Sequence, residues 1–208
     1  FQVSQNKLYL TKNVSKTEFM HLKEFYPAYV QLMKNYSKKK IKSLLCPIYA
    51  LFKFDKLYYV VMKNLNLGNY LDSKIRSYDL KGSIMNRYHS DPIVGHTRLD
   101  TNFQIDTNGI PMVLDCSFSG DIFEILSTDS SFLENNQCVD YSLYLIIDDD
   151  KKICEFKVID YLRKFDIIKN IENKWKSLNG KDKPTIVNPT EYRNRFINKM
   201  KEYFIYNK

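Results

Sequence analysis

Apolar and polar side chains alternate from Lys7 to Lys12, the two-residue period of a half-buried strand. The period then changes. Phe19, Leu22, Phe25, Tyr26, Tyr29, Leu32 and Met33 recur at three- and four-residue spacing, so they share one face of a helix. Ser15 or Thr17 would cap its start, and Pro27 predicts a kink or break. That stripe reads as core. After a basic connector at Ser37–Lys42, the apolar runs Leu44–Phe52 and Leu57–Met62 flank a Lys-Phe-Asp-Lys turn, as an antiparallel hairpin does. The polar stretch Asn64–Asn69, with a glycine inside it, ends this first unit, so the chain divides into a small unit at 1–66 and a larger one at 67–208.

In the larger unit, Tyr141–Ile147 and Ile153–Ile159 lie on either side of Asp148-Asp149-Asp150-Lys151 and predict a second hairpin. Helical patterns follow at Leu162–Leu178 and Thr190–Tyr203, separated by a basic loop around Gly180–Pro184. No internal repeat is present. The expectation is an α+β fold of antiparallel sheets with packed helices.

Composition adds limits to this outline. With 208 residues, 44% hydrophobic and 14% aromatic, the chain has material for one cooperative core and lacks the signature of disorder. Its four cysteines, Cys46, Cys116, Cys138 and Cys154, are scattered singly, which gives neither a metal spacing nor a disulfide framework and predicts a reduced, cytoplasmic compartment. No apolar run is long enough for a membrane span or a signal peptide, so any encounter with a membrane is peripheral. The formal charge of +8 is concentrated: residues 1–150 carry 17 Lys/Arg against 17 Asp/Glu, and 151–208 carry 15 against 7. Such a field attracts phosphates or an anionic leaflet. Nucleic acid is excluded as the partner, because none of the usual modules is present and the aromatics are interleaved as core.

Candidate chemistry falls at three places. Lys12 ends the first strand pattern, where it either is solvated or reaches a phosphate. Asp79-Leu80-Lys81-Gly82-Ser83, followed by Arg87, combines acid, base and flexible backbone, and reads as a polar turn or as a cation held against a phosphate. Asp140 precedes one strand of the second hairpin and Asp160 ends the other, which sets them side by side, about 5 Å apart by strand geometry. Adjacent carboxylates repel unless a cation lies between them, so the pairing predicts a metal site, with strand-end caps as the plainer alternative.

Tyr78-Asp79-Leu80-Lys81-Gly82-Ser83 with Arg87, Val139-Asp140-Tyr141-Ser142-Leu143, and Val158-Ile159-Asp160 closely resemble, in order, the motifs of phosphatidylinositol phosphate kinases. Leu57–Asn64 resembles the hinge strand of that family, and Thr185–Phe196 the segment that closes its catalytic domain. The resemblance implies a two-lobed kinase with ATP and Mg²⁺ as cofactors and a phosphatidylinositol monophosphate in an anionic, cytosolic membrane surface as partner. It implies that Lys12 contacts ATP phosphates, that Lys81, Asp79 and Arg87 shape the phosphate site, and that Asp140 acts in catalysis. Asp160 would hold the metal, and backbone groups of Val60, Val61 and Met62 would bind adenine.

A Lys-rich segment at about 175–188 resembles the specificity loop of the family, with Lys169, Lys174 and Lys176 near it. Glu172 falls where members acting on the inositol 5-hydroxyl carry Glu. The Asn86-Arg87-Tyr88 continuation, Val113-Leu114-Asp115 and the ending Arg195–Phe204 look most like the branch acting on the 3-phosphate, with the 4-phosphate branch close behind. Asn170 after Lys169 departs from the paired basic motif common in 5-kinases. Aligned to the family, Phe1 falls at the end of the glycine-rich loop, so that loop is expected outside the chain. A phosphoinositide-binding pseudokinase scaffold and a soluble inositol polyphosphate kinase are the competing expectations; the Asp140-Tyr141-Ser142-Leu143 motif argues against the latter.

Overall fold

In the computed structural model, residues 1–65, 75–90, 96–114, 121–148, 153–165 and 187–206 are described. Strands β1 (Gln2–Val3) and β2 (Tyr9–Val14) pair antiparallel and lead into α1 (Lys16–Lys38). Ser15 is the cap: its hydroxyl accepts from Glu18 N at 3.1 Å, and the Glu18 carboxylate accepts from Ser15 N at 2.8 Å. The helix runs unbroken through Pro27, which corrects the expected kink or break. Pro27 removes one hydrogen bond to the Lys23 carbonyl, but both residues face solvent, where that carbonyl can be hydrated. Leu22, Phe25 and Tyr29 of the predicted stripe are buried, and Phe19, Tyr26, Leu32 and Met33 pack against them.

Strands β3 (Ile48–Phe54) and β4 (Leu57–Lys63) form the predicted hairpin and complete a four-stranded sheet in the order β1-β2-β4-β3. β3 begins four residues after the start of its apolar run because Leu44 and Cys46 are engaged elsewhere. Val158 N donates to Leu44 O and Cys46 N donates to Val158 O, which joins the connector to the second sheet.

That second sheet contains β5 (Arg76–Leu80), β8 (Ser142–Ile147) and β9 (Ile153–Ile159), all antiparallel, in the order β5-β8-β9. Every residue of β8 is buried, as a central strand requires. The remaining elements are α2 (Asp100–Asp106), β6 (Met112–Leu114), α3 (Ile122–Asn135), β7 (Cys138–Val139), β10 (Arg163–Lys164), α4 (Pro189–Tyr203) and β11 (Phe204–Tyr206). β11 pairs parallel with β6, and β10 antiparallel with β7. The strand at Arg163–Lys164 corrects the expected helix at its beginning, because pairing with Cys138–Val139 extends the backbone; residues 166–178 of that expectation lie outside the described residues. α4 begins one residue before the prediction, with Pro189 in its first turn and the Asn188 side chain accepting from Glu191 N.

A buried carboxylate ties helices to connector. Asp129 of α3 accepts from Tyr36 OH (2.8 Å), Ser43 Oγ (2.9 Å) and Leu44 N (2.7 Å). Among the described residues no helix is long and apolar enough to cross a membrane.

Candidate active site

Asp140 and Asp160 occupy two facing corners. Ser142 and Ile159 are partners in the β8–β9 ladder, and Val139 and Arg163 in the β7–β10 ladder, so both aspartates fall where one ladder gives way to the other. Each turns its corner in the left-handed region, with φ of 66° at Asp140 and 57° at Asp160, a backbone state that costs free energy in non-glycine residues and concentrates at functional sites. Lys81 Nζ lies 2.5 Å from Asp140 Oδ1, Arg163 Nη1 lies 3.0 Å from Asp140 Oδ2, and Lys12 Nζ lies 2.8 Å from Asp160 Oδ1. Burial alone would raise the Asp140 carboxyl, but the bonds and charges of Lys81 and Arg163 outweigh it and hold the group below its ordinary range. It is a carboxylate at neutral pH.

The two carboxylates are each paired with a cation. Each aspartate has its own cationic side chain, so their repulsion does not by itself demand an ion, and among the described residues no cluster of three His, Cys, Asp or Glu side chains is present.

The turn after β5 is held from below by Asp100, at the start of α2 and fully buried. Its Oδ1 accepts from Gly82 N (2.8 Å) and Tyr203 OH (3.3 Å), and its Oδ2 from Lys81 N (3.1 Å) and Arg87 Nε (2.9 Å). Arg87 also donates to the Asp79 carboxylate at 2.7 Å and to the Asp79 carbonyl. The guanidinium is thus committed to Asp79 and Asp100, and the two residues shape the turn that presents Lys81. Gly82, at φ +68°, lies against α4: a Cβ there would come 3.0 Å from Lys199 Cβ and 3.2 Å from Phe196 Cα. The same helix fixes the Asp140 corner, since Tyr192 OH donates to the Tyr141 carbonyl and the Tyr141 ring packs edge-on against Tyr192 and Phe196.

Lys12 crosses from β2 to Asp160, and Lys63 from β4 to Glu155 at 3.1 Å, so two ion pairs span the two sheets. Val60, Val61 and Met62 lie in β4, paired on one side with Lys12, Thr11 and Leu10 and on the other with Leu51, Ala50 and Ile48. The ladder to β3 shifts register between Ile48 and Ala50, opposite Met62 and Val61; Asn64 N, past the strand, donates to Leu8 O. Lys169, Glu172, Lys174 and Lys176, and the loop at 175–186, lie outside the described residues.

Residues 1–152 and 146–203 match the family described as Phosphatidylinositol-4-phosphate 5-Kinase. The chain belongs to that family. It is 29% identical over 231 residues to the Homo sapiens "1-phosphatidylinositol 3-phosphate 5-kinase", covering 99% of this chain and 10% of the relative. To the Arabidopsis thaliana "1-phosphatidylinositol-3-phosphate 5-kinase FAB1A" it is 28% identical over 222 residues, covering 99% of this chain and 12% of the relative. The chain therefore spans about a tenth of the length of the curated relatives it matches.

Membership of a kinase family implies a divalent cation, and the donors fit one. Mg²⁺ takes oxygen ligands, with one or two carboxylates beside phosphate oxygens and water. Asp160 is half-exposed and spends only Oδ1 on Lys12, which leaves a carboxylate oxygen for a hard cation. Three residues important to the site escaped the sequence reading: Asp100, Arg163 and Tyr192. Only Arg163 left a trace, as a basic residue three positions after Asp160; the other two are defined by long-range contacts.

Proposed function

We propose that this chain is the catalytic core of an ATP-dependent phosphatidylinositol phosphate kinase that transfers the γ-phosphoryl group to the inositol 5-hydroxyl of a phosphatidylinositol monophosphate, the 3-phosphate in preference to the 4-phosphate. The observation that carries the reading is the pair of facing corners, Asp140 with Lys81 and Asp160 with Lys12, in a chain whose relatives are named 3-phosphate 5-kinases. In this reading a small lobe at 1–66 and a large lobe at 67–208 hold the nucleotide between the four-stranded and three-stranded sheets, and the site works at a cytosolic membrane surface.

Lys12 and Lys81 are the two lysines at the corners, and both exchange part of their carboxylate contact for phosphate oxygens when nucleotide binds. Asp140 receives the 5-hydroxyl. Both its oxygens already accept a bond, but a carboxylate has about four acceptor positions, so a hydroxyl can be added without displacing Lys81 or Arg163. A carboxylate held at low pKa is a weak base, so its chief work is to aim the hydroxyl oxygen at the γ-phosphorus and to accept the proton late, as the O–P bond forms and ADP departs. Asp160 would hold Mg²⁺, which would supply positive charge against the phosphate oxygens. Lys169, Glu172, Lys174 and Lys176 select the monophosphate headgroup.

The test is transfer of labelled phosphate from Mg·ATP to vesicles containing each phosphatidylinositol monophosphate in turn, with the labelled ring position mapped. Label at the 5-position of the 3-phosphate lipid is expected, with none on the 5-phosphate lipid. Transfer to the 5-phosphate lipid would overturn the regiochemistry, and vesicle binding without transfer to any lipid would make the protein a phosphoinositide-binding pseudokinase.

A further inference from the structure

Immediately after Lys81 the chain exposes three large apolar side chains within five residues: Ile84 is 63% exposed, Met85 51% and Tyr88 54%. Exposure of this kind is unremarkable on a loose loop, but this loop is fastened at both ends. On one side Gly82 N is bound by Asp100. On the other, Arg87 is held by two carboxylates, Thr101 N donates to Arg87 O, and His89 exchanges two hydrogen bonds with the Asn102 side chain. Met85 N donates to Ser83 Oγ within the tip, and Asn86 takes φ of 55° to close it. Fastened ends keep the apolar tip from folding back onto the core.

We infer that Ile84, Met85 and Tyr88 form a wedge that enters the headgroup region of an anionic bilayer and sets the depth at which the lipid headgroup meets Lys81 and Asp140. The inference rests on the lipid-kinase reading above and deepens it. Three peptide units separate Lys81 from Ile84, so their Cα atoms are at most about 11 Å apart. A site that acts on an inositol ring still attached to its lipid must stand within about a headgroup of the acyl boundary, and interfacial apolar side chains bury about 5–10 Å into that layer. The wedge therefore has the reach that the site requires. Its composition also suits an interface: two aliphatic side chains at the tip, an aromatic ring with a polar end beside them, and the basic turn of α4 around Arg195 and Lys199 against Gly82 at the base.

Two measurements in the full-length protein test the wedge. Hydrogen–deuterium exchange of the peptide spanning residues 83–90 is followed on addition of vesicles of phosphatidylcholine with one-fifth phosphatidylserine; slower exchange with vesicles is expected. Unchanged exchange, or full protection already without vesicles because another part of the protein covers the loop, would overturn the inference. In parallel, the double variant Ile84→Ser/Met85→Ser is expected to lower transfer to a phosphatidylinositol monophosphate in vesicles about tenfold or more, from lost apolar burial. Transfer to a dispersed short-chain analogue should stay within about twofold. Equal loss on both substrates would overturn it. Absence of transfer by the unaltered protein on either substrate would refute the kinase reading, and the exchange result would still decide the wedge.

Discussion

Replacement of Asp100 by asparagine is the most searching perturbation of the site's foundations, because one buried carboxylate there meets four donors. Asparagine keeps the shape and one acceptor oxygen. If that oxygen retains Gly82 N and Tyr203 OH, the new amide N–H₂ faces Lys81 N and Arg87 Nε, two donors that cannot bond it. The Arg87 guanidinium, only 15% exposed, keeps Asp79 alone as its carboxylate partner. Breaking a buried ion pair in this way costs about 3–5 kcal/mol. With a urea slope of about 2–3 kcal/mol per molar, the unfolding midpoint should fall by at least ~1 M. Glu202→Gln, which removes the surface partner of Lys199, is the control and should cost at most about 0.5 kcal/mol. A loss below about 1 kcal/mol in Asp100→Asn would refute the claim that this carboxylate organises the Lys81 turn.

The remaining predictions are these. Gly82→Ala combines a left-handed backbone with a close approach to α4 and should cost about 2–4 kcal/mol, whereas Gly109→Ala, at the same φ of +68° but in open space, should cost only about 1–2; equal losses in thermal unfolding would discredit the close-packing argument. Burial raises Asp129 to about 6, so its contribution to stability falls as pH rises from about 4 to 6; burial, then the Lys164 charge, lowers His21 to about 4, so its contribution rises from about pH 4 to 6.5. The two oppose each other in the parent protein, and in Asp129→Asn stability should climb by roughly 3 kcal/mol over that window; a flat profile from denaturation at stepped pH would contradict it. Lys12→Met should weaken nucleotide binding about 10- to 100-fold in a calorimetric titration, and unchanged affinity would remove Lys12 from the phosphate site.

Much of the fold was legible where one period dominated a long segment. The α1 stripe from Phe19 to Met33, the hairpins around Asp55 and after Ile147, and the cap at Ser15 follow from local sequence. Pro27 and Arg163–Lys164 misled because their outcome depends on surroundings: hydration of one exposed carbonyl in the first case, pairing with Cys138–Val139 in the second. The candidate site was legible as motifs but not as a network. Sequence spacing set Asp140 and Asp160 at neighbouring hairpin ends, yet the cations beside them come from distant positions, Lys12 lying 148 residues from Asp160 and Lys81 lying 59 from Asp140. No periodicity encodes such pairs. Asp100 and Arg87, 13 residues apart, likewise separate a supporting cation from a phosphate-binding one only once the buried carboxylate is seen.

The central claim is that Asp140, positioned by Lys81 and Arg163, receives the acceptor hydroxyl. Its most direct test is single-turnover transfer by Asp140→Asn at saturating Mg·ATP, alongside nucleotide affinity measured separately. The account predicts affinity within about threefold of the parent and a transfer rate lower by about 10²–10³. A transfer rate equal to the parent's, with intact folding, would contradict it.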